Sequence, residues 1–231
     1  MLLSIIMPVY NEARTLGEIV GRVMKSSVPV GRELIIVDDA SMDATRDVLR
    51  EIAADHGEKI RVFRHEENRG KGAAIRTGIA HARGDIILIQ DADLEYDPRD
   101  YPLLLEPILE DQADAVFGNR FHGGPHRVLY FWHYAANRFL TLLTNVLTGL
   151  NLSDMEVGYK VFRADVLRGI TLTSDRFGFE PEVTIKVAKR GCRVYEVPVR
   201  YYGRTYAEGK KITWRDGLAA LGHIIRYRFL G

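Results

Sequence analysis

The chain has 231 residues, 46% hydrophobic and 27% charged, with a formal net charge of +1. At ~150 residues per domain that is one large domain or two small ones, too apolar for a disordered chain and too balanced in charge for a general drive toward nucleic acid. The single cysteine, Cys192, excludes an intrachain disulfide and a cysteine zinc cluster.

A short apolar run predicts a buried strand over 3–9, followed by a helix with Leu16, Ile19, Val20, Val23 and Met24 at helical spacing. A second strand over 33–37 stops at Asp38 and Asp39, and Asp43 is the expected N-cap of a helix whose inner face is Val48, Leu49 and Ile52. A third strand over 60–63 leads through a loop with Asn68, Gly70 and Gly72 into a helix running to Ala82. A fourth strand over 85–89 ends in Gln90-Asp91-Ala92-Asp93, a helix follows Pro98, and a fifth strand covers 113–117. Alternating buried strands and amphipathic helices predict an α/β fold on a mostly parallel sheet. Ligands of such sheets bind beyond the carboxyl ends of the strands. Asn11-Glu12, Asp38-Asp39 and the Asp91/Asp93 pair stand at three such ends.

Beyond Asn119 the pattern changes. Residues 128–150 read as one or two helices, 157–163 as a strand, 181–189 as a helix, 192–202 as one or two strands, and 214–229 as an amphipathic helix. No repeat, low-complexity tract or linker divides the chain, so 1–231 is expected to be one domain with a distinct second half. Charge is divided too. Residues 85–114 hold ten acidic residues and one basic, whereas 200–228 hold seven basic and two acidic. This predicts a metal site in one part and an anion site in the other. Residues 2–9 are too short for a signal peptide, and the longest uncharged stretch, 139–153, falls short of the ~18 apolar residues of a membrane span.

Asp91-Ala92-Asp93 is the sharpest chemical feature. Residues two apart in extended or turning backbone project to one side, so both carboxylates can face one ion. Two hard oxygen ligands with open positions suit Mg²⁺ or Mn²⁺ bridging to a diphosphate. Other phosphate motifs are missing: Ile75 stands where a dinucleotide fingerprint after Gly70 and Gly72 needs its third glycine, and no P-loop is present. His122 and His126 lack partner ligands for zinc.

These blocks, Pro8-Val9-Tyr10-Asn11-Glu12, Val37-Asp38-Asp39-Ala40-Ser41-Met42-Asp43, Asn68-Arg69-Gly70-Lys71-Gly72 and Gln90-Asp91-Ala92-Asp93-Leu94-Glu95, resemble glycosyltransferase family 2 with the GT-A fold. Gly118-Asn119-Arg120, Ser153-Asp154-Met155-Glu156-Val157-Gly158-Tyr159-Lys160, Phe179-Glu180-Pro181-Glu182, Glu196-Val197-Pro198-Val199 and Gly203-Arg204-Thr205 resemble its dolichol-phosphate mannose and glucose synthase branch. The resemblance implies a Rossmann-like, mostly parallel sheet with flanking helices and a C-terminal acceptor-binding portion. Residues 1–118 would bind the nucleotide sugar, and 119–231 would bind the acceptor and face the membrane.

It also implies roles. Pro8, Val9 and Tyr10, with Glu12 and Asp39, would hold the nucleoside, and the loop at Gly70, Lys71 and Gly72 would close over it. Asp91, Asp93 and Glu95 would hold Mg²⁺ or Mn²⁺ on the donor diphosphate, with Ala92 between them. Arg120 and Arg204 fall on positions that bind phosphate oxygens of acceptor or donor. Asp154 matches the aspartate often assigned as base. Two departures stand out. Relatives carry further arginines after the fifth strand, where this chain offers only Arg127 as an acceptor ligand; and many relatives continue into membrane helices, whereas this sequence ends at Gly231.

The expected reaction is an inverting transfer of a hexose from a GDP-mannose or UDP-glucose type donor to a polyprenyl or dolichyl phosphate at the cytoplasmic face of a membrane, by surface binding or through an anchoring partner protein. Two alternatives stay open: transfer to a hydroxyl of a glycolipid or polysaccharide, and a silent nucleotide-sugar-binding subunit. The membrane expectation rests on Trp214, Leu218, Leu221 and Ile225 sharing a face of the last helix, and on the aromatic cluster Leu129, Tyr130, Phe131, Trp132 and Tyr134. Packing of both helices on the sheet is the competing reading.

Overall fold

A computed structural model describes residues 1–123, 125–128, 130–209 and 214–230. Leu129, Lys210, Lys211 and the side chains of Trp214 and Arg215 lie outside the described residues. The strands β1 (Leu2–Val9), β2 (Gly31–Asp38), β3 (Ile60–Arg64), β4 (Ile86–Ile89), β5 (Ala115–Asn119), β6 (Lys160–Arg163) and β7 (Val194–Pro198) form one seven-stranded sheet in the order β3-β2-β1-β4-β6-β5-β7. The first four are mutually parallel, β5 and β7 are parallel, and β6 runs antiparallel to β4 and β5 between them. β1, β2 and β4 are buried almost throughout, as continuous apolar runs require when both faces are covered.

Helices α1 (Leu16–Lys25), α2 (Thr45–His56), α3 (Lys71–His81) and α4 (Tyr101–Leu109) belong to the first half. α3 lies directly on β1, and Gly78 permits the approach because a Cβ there would overlap the Ile6 side chain. The second half adds α5 (Phe131–Thr148), α6 (Ala164–Arg168), α7 (Phe179–Lys189) and α8 (Trp214–Phe229).

Several boundaries differ from the sequence reading. Asp43 is one residue short of the N-cap position: α2 starts at Thr45, and the Asp43 carboxylate accepts from the Thr45 amide at 3.0 Å. The fifth strand begins at Ala115 because the Asp114 carboxylate is tied to the Arg193 amide and guanidinium. The sixth begins at Lys160, since the amides of Met155 and Gly158 are taken by Thr141 and Tyr96 side chains rather than by a neighbouring strand. Within residues 192–202 the one strand is β7, Val194–Pro198.

α8 packs by Ala220, Ile224 and Tyr227, while Leu218 and Ile225 of the expected apolar face are exposed. α5 buries Asn137, Leu140, Thr141 and Thr144. Its outer face carries Trp132, Phe139, Leu142 and Val146, exposed by 79%, 59%, 62% and 74%. No helix among the described residues is long and apolar enough to cross a membrane.

Candidate active site at the carboxyl ends of the strands

The chain leaving β4 is fixed from beneath. Buried Gln90 accepts hydrogen bonds from Tyr101 and Tyr159, each at 2.7 Å, and the buried Ala92 carbonyl accepts from Thr15 Oγ1 at 3.1 Å. Asp91, Asp93 and Glu95 project from this turn. Asp91 Oδ1 meets Lys71 Nζ at 2.7 Å, and Lys71 in turn meets Glu180 Oε1 at 2.9 Å. Burial works against the Lys71 ammonium, but the two carboxylates outweigh it and hold its pKa above the usual lysine range.

Asp93 and Glu95 converge on Arg204. Its Nη2 donates to Asp93 Oδ2 at 2.7 Å and its Nε to Glu95 Oε1 at 3.1 Å, while Nη1 lies 3.5 Å from Glu12 Oε1. The Arg204 amide and the Tyr201 hydroxyl also bond Glu95. Burial, with Glu95 and Asp91 nearby, pushes the Asp93 carboxyl up to about 8 despite Arg204. The segment that delivers Arg204 is anchored by buried Asp100, which accepts from the Arg200 amide at 2.7 Å and from its guanidinium.

The ends of β1 and β2 form the adjoining wall. Val9 is buried, Pro8 and Tyr10 are half-buried, and the Val9 carbonyl accepts from the Asp39 amide at 2.8 Å. Asn11 and Ala40 take positive φ, and the Asn11 side chain caps the Met42 amide at 2.8 Å. Asp39 turns its buried carboxylate to the following loop: it accepts from the amides of Arg69 and Gly70 at 2.9 and 2.6 Å, with His65 Nδ1 at 2.7 Å. Gly70 has φ +95°, and a Cβ on Gly70 or Gly72 would strike the backbone of residues 174–176. Those glycines let the start of α3 nest against that segment.

Across the cleft, Arg120 follows β5. It grips buried Asp154 in a fork, Nε to Oδ2 and Nη2 to Oδ1, both at 2.7 Å, and its amide adds a third bond at 3.1 Å. Asn137 supplies a fourth at 2.9 Å. Burial alone would raise the Asp154 pKa, but Arg120 and Asn137 hold it below the usual aspartate value. The Arg120 guanidinium stands 5.1 Å from the centre of the Tyr201 ring, so Tyr201 links it to Glu95. Arg127 is half-exposed and pairs with Glu208 at 2.8 Å, the residue four after Arg204.

The structure thus brings Glu12, Asp93, Glu95 and Arg204 together, sets Asp91 beside them on Lys71, and places Arg120 over the Tyr201 ring. Asp39 lies apart, under the Gly70 loop. Among the described residues no three His, Cys, Asp or Glu side chains are already arranged as a metal cage. Lys71 and Arg204 stand where cationic charge meets these carboxylates. Sequence reasoning placed Lys71 in the site but missed its pairing with Glu180, and it missed Tyr201 and Glu196, whose carboxylate accepts from the Ser153 and Asp154 amides. Glu180 and Glu196 sat in recognisable blocks, but nothing local showed which partner each would meet.

Glucosyl-3-phosphoglycerate synthase from Mycobacterium tuberculosis, crystallised with Mn²⁺, uridine diphosphate and phosphoglyceric acid, aligns with a TM-score of 0.73 at 18% identity, over 100% of this chain and 79% of its own. The same protein with uridine diphosphate alone gives 0.76 at 20% identity. The fold is therefore GT-A. Residues 4–171 match the sequence profile of glycosyl transferase family 2, and the chain belongs to that family of glycosyltransferases. Undecaprenyl-phosphate mannosyltransferase of Micrococcus luteus is 33% identical over 89% of this chain and 85% of its own. Dodecaprenyl-phosphate galacturonate synthase of Rhizobium johnstonii is 32% identical over 90% of this chain, which spans 61% of that relative's length.

Proposed function

We propose that the protein transfers a hexose from a nucleotide sugar, of the GDP-mannose or UDP-glucose type, to a polyprenyl phosphate. One observation carries this reading: Arg204, from the second half, bonds Asp93 and Glu95 on the turn after β4, and Tyr201 joins Glu95 to the Arg120 guanidinium. The names of the relatives support a polyprenyl phosphate as acceptor.

Pro8, Val9 and Tyr10, with Glu12, would line the nucleoside, and Asp39 would shape that wall by holding the Gly70 loop. Asp91, Asp93 and Glu95 are hard oxygen donors that suit Mg²⁺ or Mn²⁺, which when bound would offset charge on the departing diphosphate. Their fit rests on charge: carboxylates close enough to raise the Asp93 pKa favour an added cation. An acceptor phosphate oxygen then bonds to the anomeric carbon as the bond from that carbon to the diphosphate oxygen breaks. A phosphate monoester has its second pKa near ~6 and arrives largely ionised, so no base is required. Asp154 accordingly serves as a positioning residue: its oxygens are committed to Arg120 and Asn137, and by taking Nε and Nη2 it fixes the guanidinium with its remaining N–H groups left for phosphate. Arg204 and Arg127 complete the acceptor side. The exposed apolar row on α5 suits a peripheral position at a membrane, on the cytoplasmic face, with or without an anchoring partner.

The test is calorimetry with UDP-glucose, GDP-mannose and related donors in Mg²⁺ or Mn²⁺, followed by transfer of labelled sugar to undecaprenyl phosphate. Failure of every nucleotide sugar to bind overturns the donor reading. Binding without transfer to the lipid phosphate returns the two alternatives, a hydroxyl acceptor or a silent subunit.

A further inference from the structure

Residues 153–158 run from Arg120 to Asp91, and most of their backbone polar groups are tied down. The Ser153 and Asp154 amides donate to Glu196, the Met155 amide to Thr141, and the Gly158 amide to Tyr96. The carbonyls of Met155 and Val157 accept from the buried Lys160 ammonium at 2.8 and 2.7 Å. Gly158 presses on the donor side so closely that a Cβ would overlap the Asp91 carboxylate. Within this pinned segment Glu156 stands out. Its Oε1 is shut off from solvent and has no hydrogen-bond partner. An unsatisfied buried oxygen on a rigid loop costs free energy that a bound ligand can recover.

The surroundings say what kind of ligand. Glu180, Asp154, Lys160 and Arg120 all act on Glu156, and Lys71 joins Glu180 to Asp91. Two carboxylates and two cations act on it, so the place favours neither an anion nor a cation. Burial, with Glu180 nearby, pushes the Glu156 carboxyl up to about 7, against the pull of Lys160 and Arg120. A carboxyl that is partly protonated near neutrality both donates and accepts hydrogen bonds, as a sugar hydroxyl does. We infer that Glu156 recognises hydroxyl groups of the donor's sugar ring and so helps set which hexose is accepted. Within the motif the two acids divide the work: Asp154 is closed over Arg120, and Glu156 is left for substrate. This inference rests on the nucleotide-sugar reading above.

The experiment titrates wild type, Glu156→Ala and Glu156→Gln with UDP, UDP-glucose, GDP and GDP-mannose in Mg²⁺, with melting curves on each protein. Loss of a hydrogen bond made by a buried polar group predicts that Glu156→Ala weakens the preferred nucleotide sugar by about 10- to 100-fold. The matching nucleoside diphosphate should stay within about twofold. Glu156→Gln keeps the side chain's shape and serves if the alanine variant folds poorly; it should show a smaller loss in the same pattern and a changed ratio between the two sugars. Equal weakening of sugar nucleotide and bare diphosphate makes Glu156 a loop support and overturns the inference. So does unchanged affinity in both variants. Wild type that binds none of the four probes overturns the donor reading itself, and the inference with it.

Discussion

The two halves of the molecule build their parts of the site differently. In residues 1–118 the candidate carboxylates follow strands that aim them: Glu12 after β1, Asp39 after β2, and Asp91 and Asp93 after β4. Chain order alone brings them to one edge of a parallel sheet. In residues 119–231 each candidate arginine is held by a bond to a distant partner. Arg120 grips Asp154, 34 residues on; Arg200 grips Asp100, 100 residues back; Arg204 reaches Asp93 across 111. A site wall made by strand ends tolerates loss of one side chain without losing its shape. A wall made by ion pairs does not, because removing one partner leaves a buried charge alone.

The largest effect expected from this contrast is functional, in the first half. Asp93→Asn should keep the fold, since the sheet beneath is untouched, but lower transfer about a thousandfold or more by removing a hard ligand and a tie for Arg204. A purified variant with near-normal turnover in EDTA would show that no metal is held there.

Next comes a structural effect in the second half. Arg120→Ala strands the fully buried Asp154 carboxylate and should destabilise the protein by about 3–5 kcal/mol, lowering the melting temperature by roughly 10 °C. An unchanged melting temperature would dissolve the distinction between the halves. The same pair predicts a pH effect. The folded-state pKa of Asp154 lies below the ordinary 3.8, so its stabilisation is present above that pH and is lost as pH falls through the folded value. Asp154→Asn has no such group to titrate. Its stability should fall less steeply below pH 4 in acid-unfolding curves, although it is the less stable protein at pH 7.

Arg204 sharpens the comparison because it joins both halves. Arg204→Lys keeps the charge and loses the fork, and should slow transfer to undecaprenyl phosphate by about ten- to a hundredfold while nucleotide affinity stays close to wild type. Normal transfer by Arg204→Ala would remove the residue from the site, and a loss confined to nucleotide affinity would assign it to the diphosphate.

The smallest effect concerns the outer face of α5. Trp132→Ser with Phe139→Ser should weaken binding to anionic vesicles by a few-fold and leave the melting temperature within about 1 °C, because both side chains are exposed. A large drop in melting temperature would mean that this face is covered by the protein itself.

Strand pattern, helix spacing and polar strand ends are properties of short stretches of chain. That is why the alternating α/β order, the mostly parallel sheet and the polar strand ends Asn11-Glu12, Asp38-Asp39 and Asp91/Asp93 were legible in short stretches of the chain. Family resemblance extended this to Arg120, Asp154 and Arg204. What each could do came from contacts between distant parts of the chain. Asp154 and Glu156 stand two residues apart in one motif, yet one is enclosed by Arg120 and Asn137 and the other keeps an unpartnered oxygen. The insertion of β6 antiparallel between β4 and β5 had no local signal, because pairing is chosen by the partners a strand meets. A carboxylate's role depends on its burial and on the charges beside it, and both are supplied by residues far away in the chain.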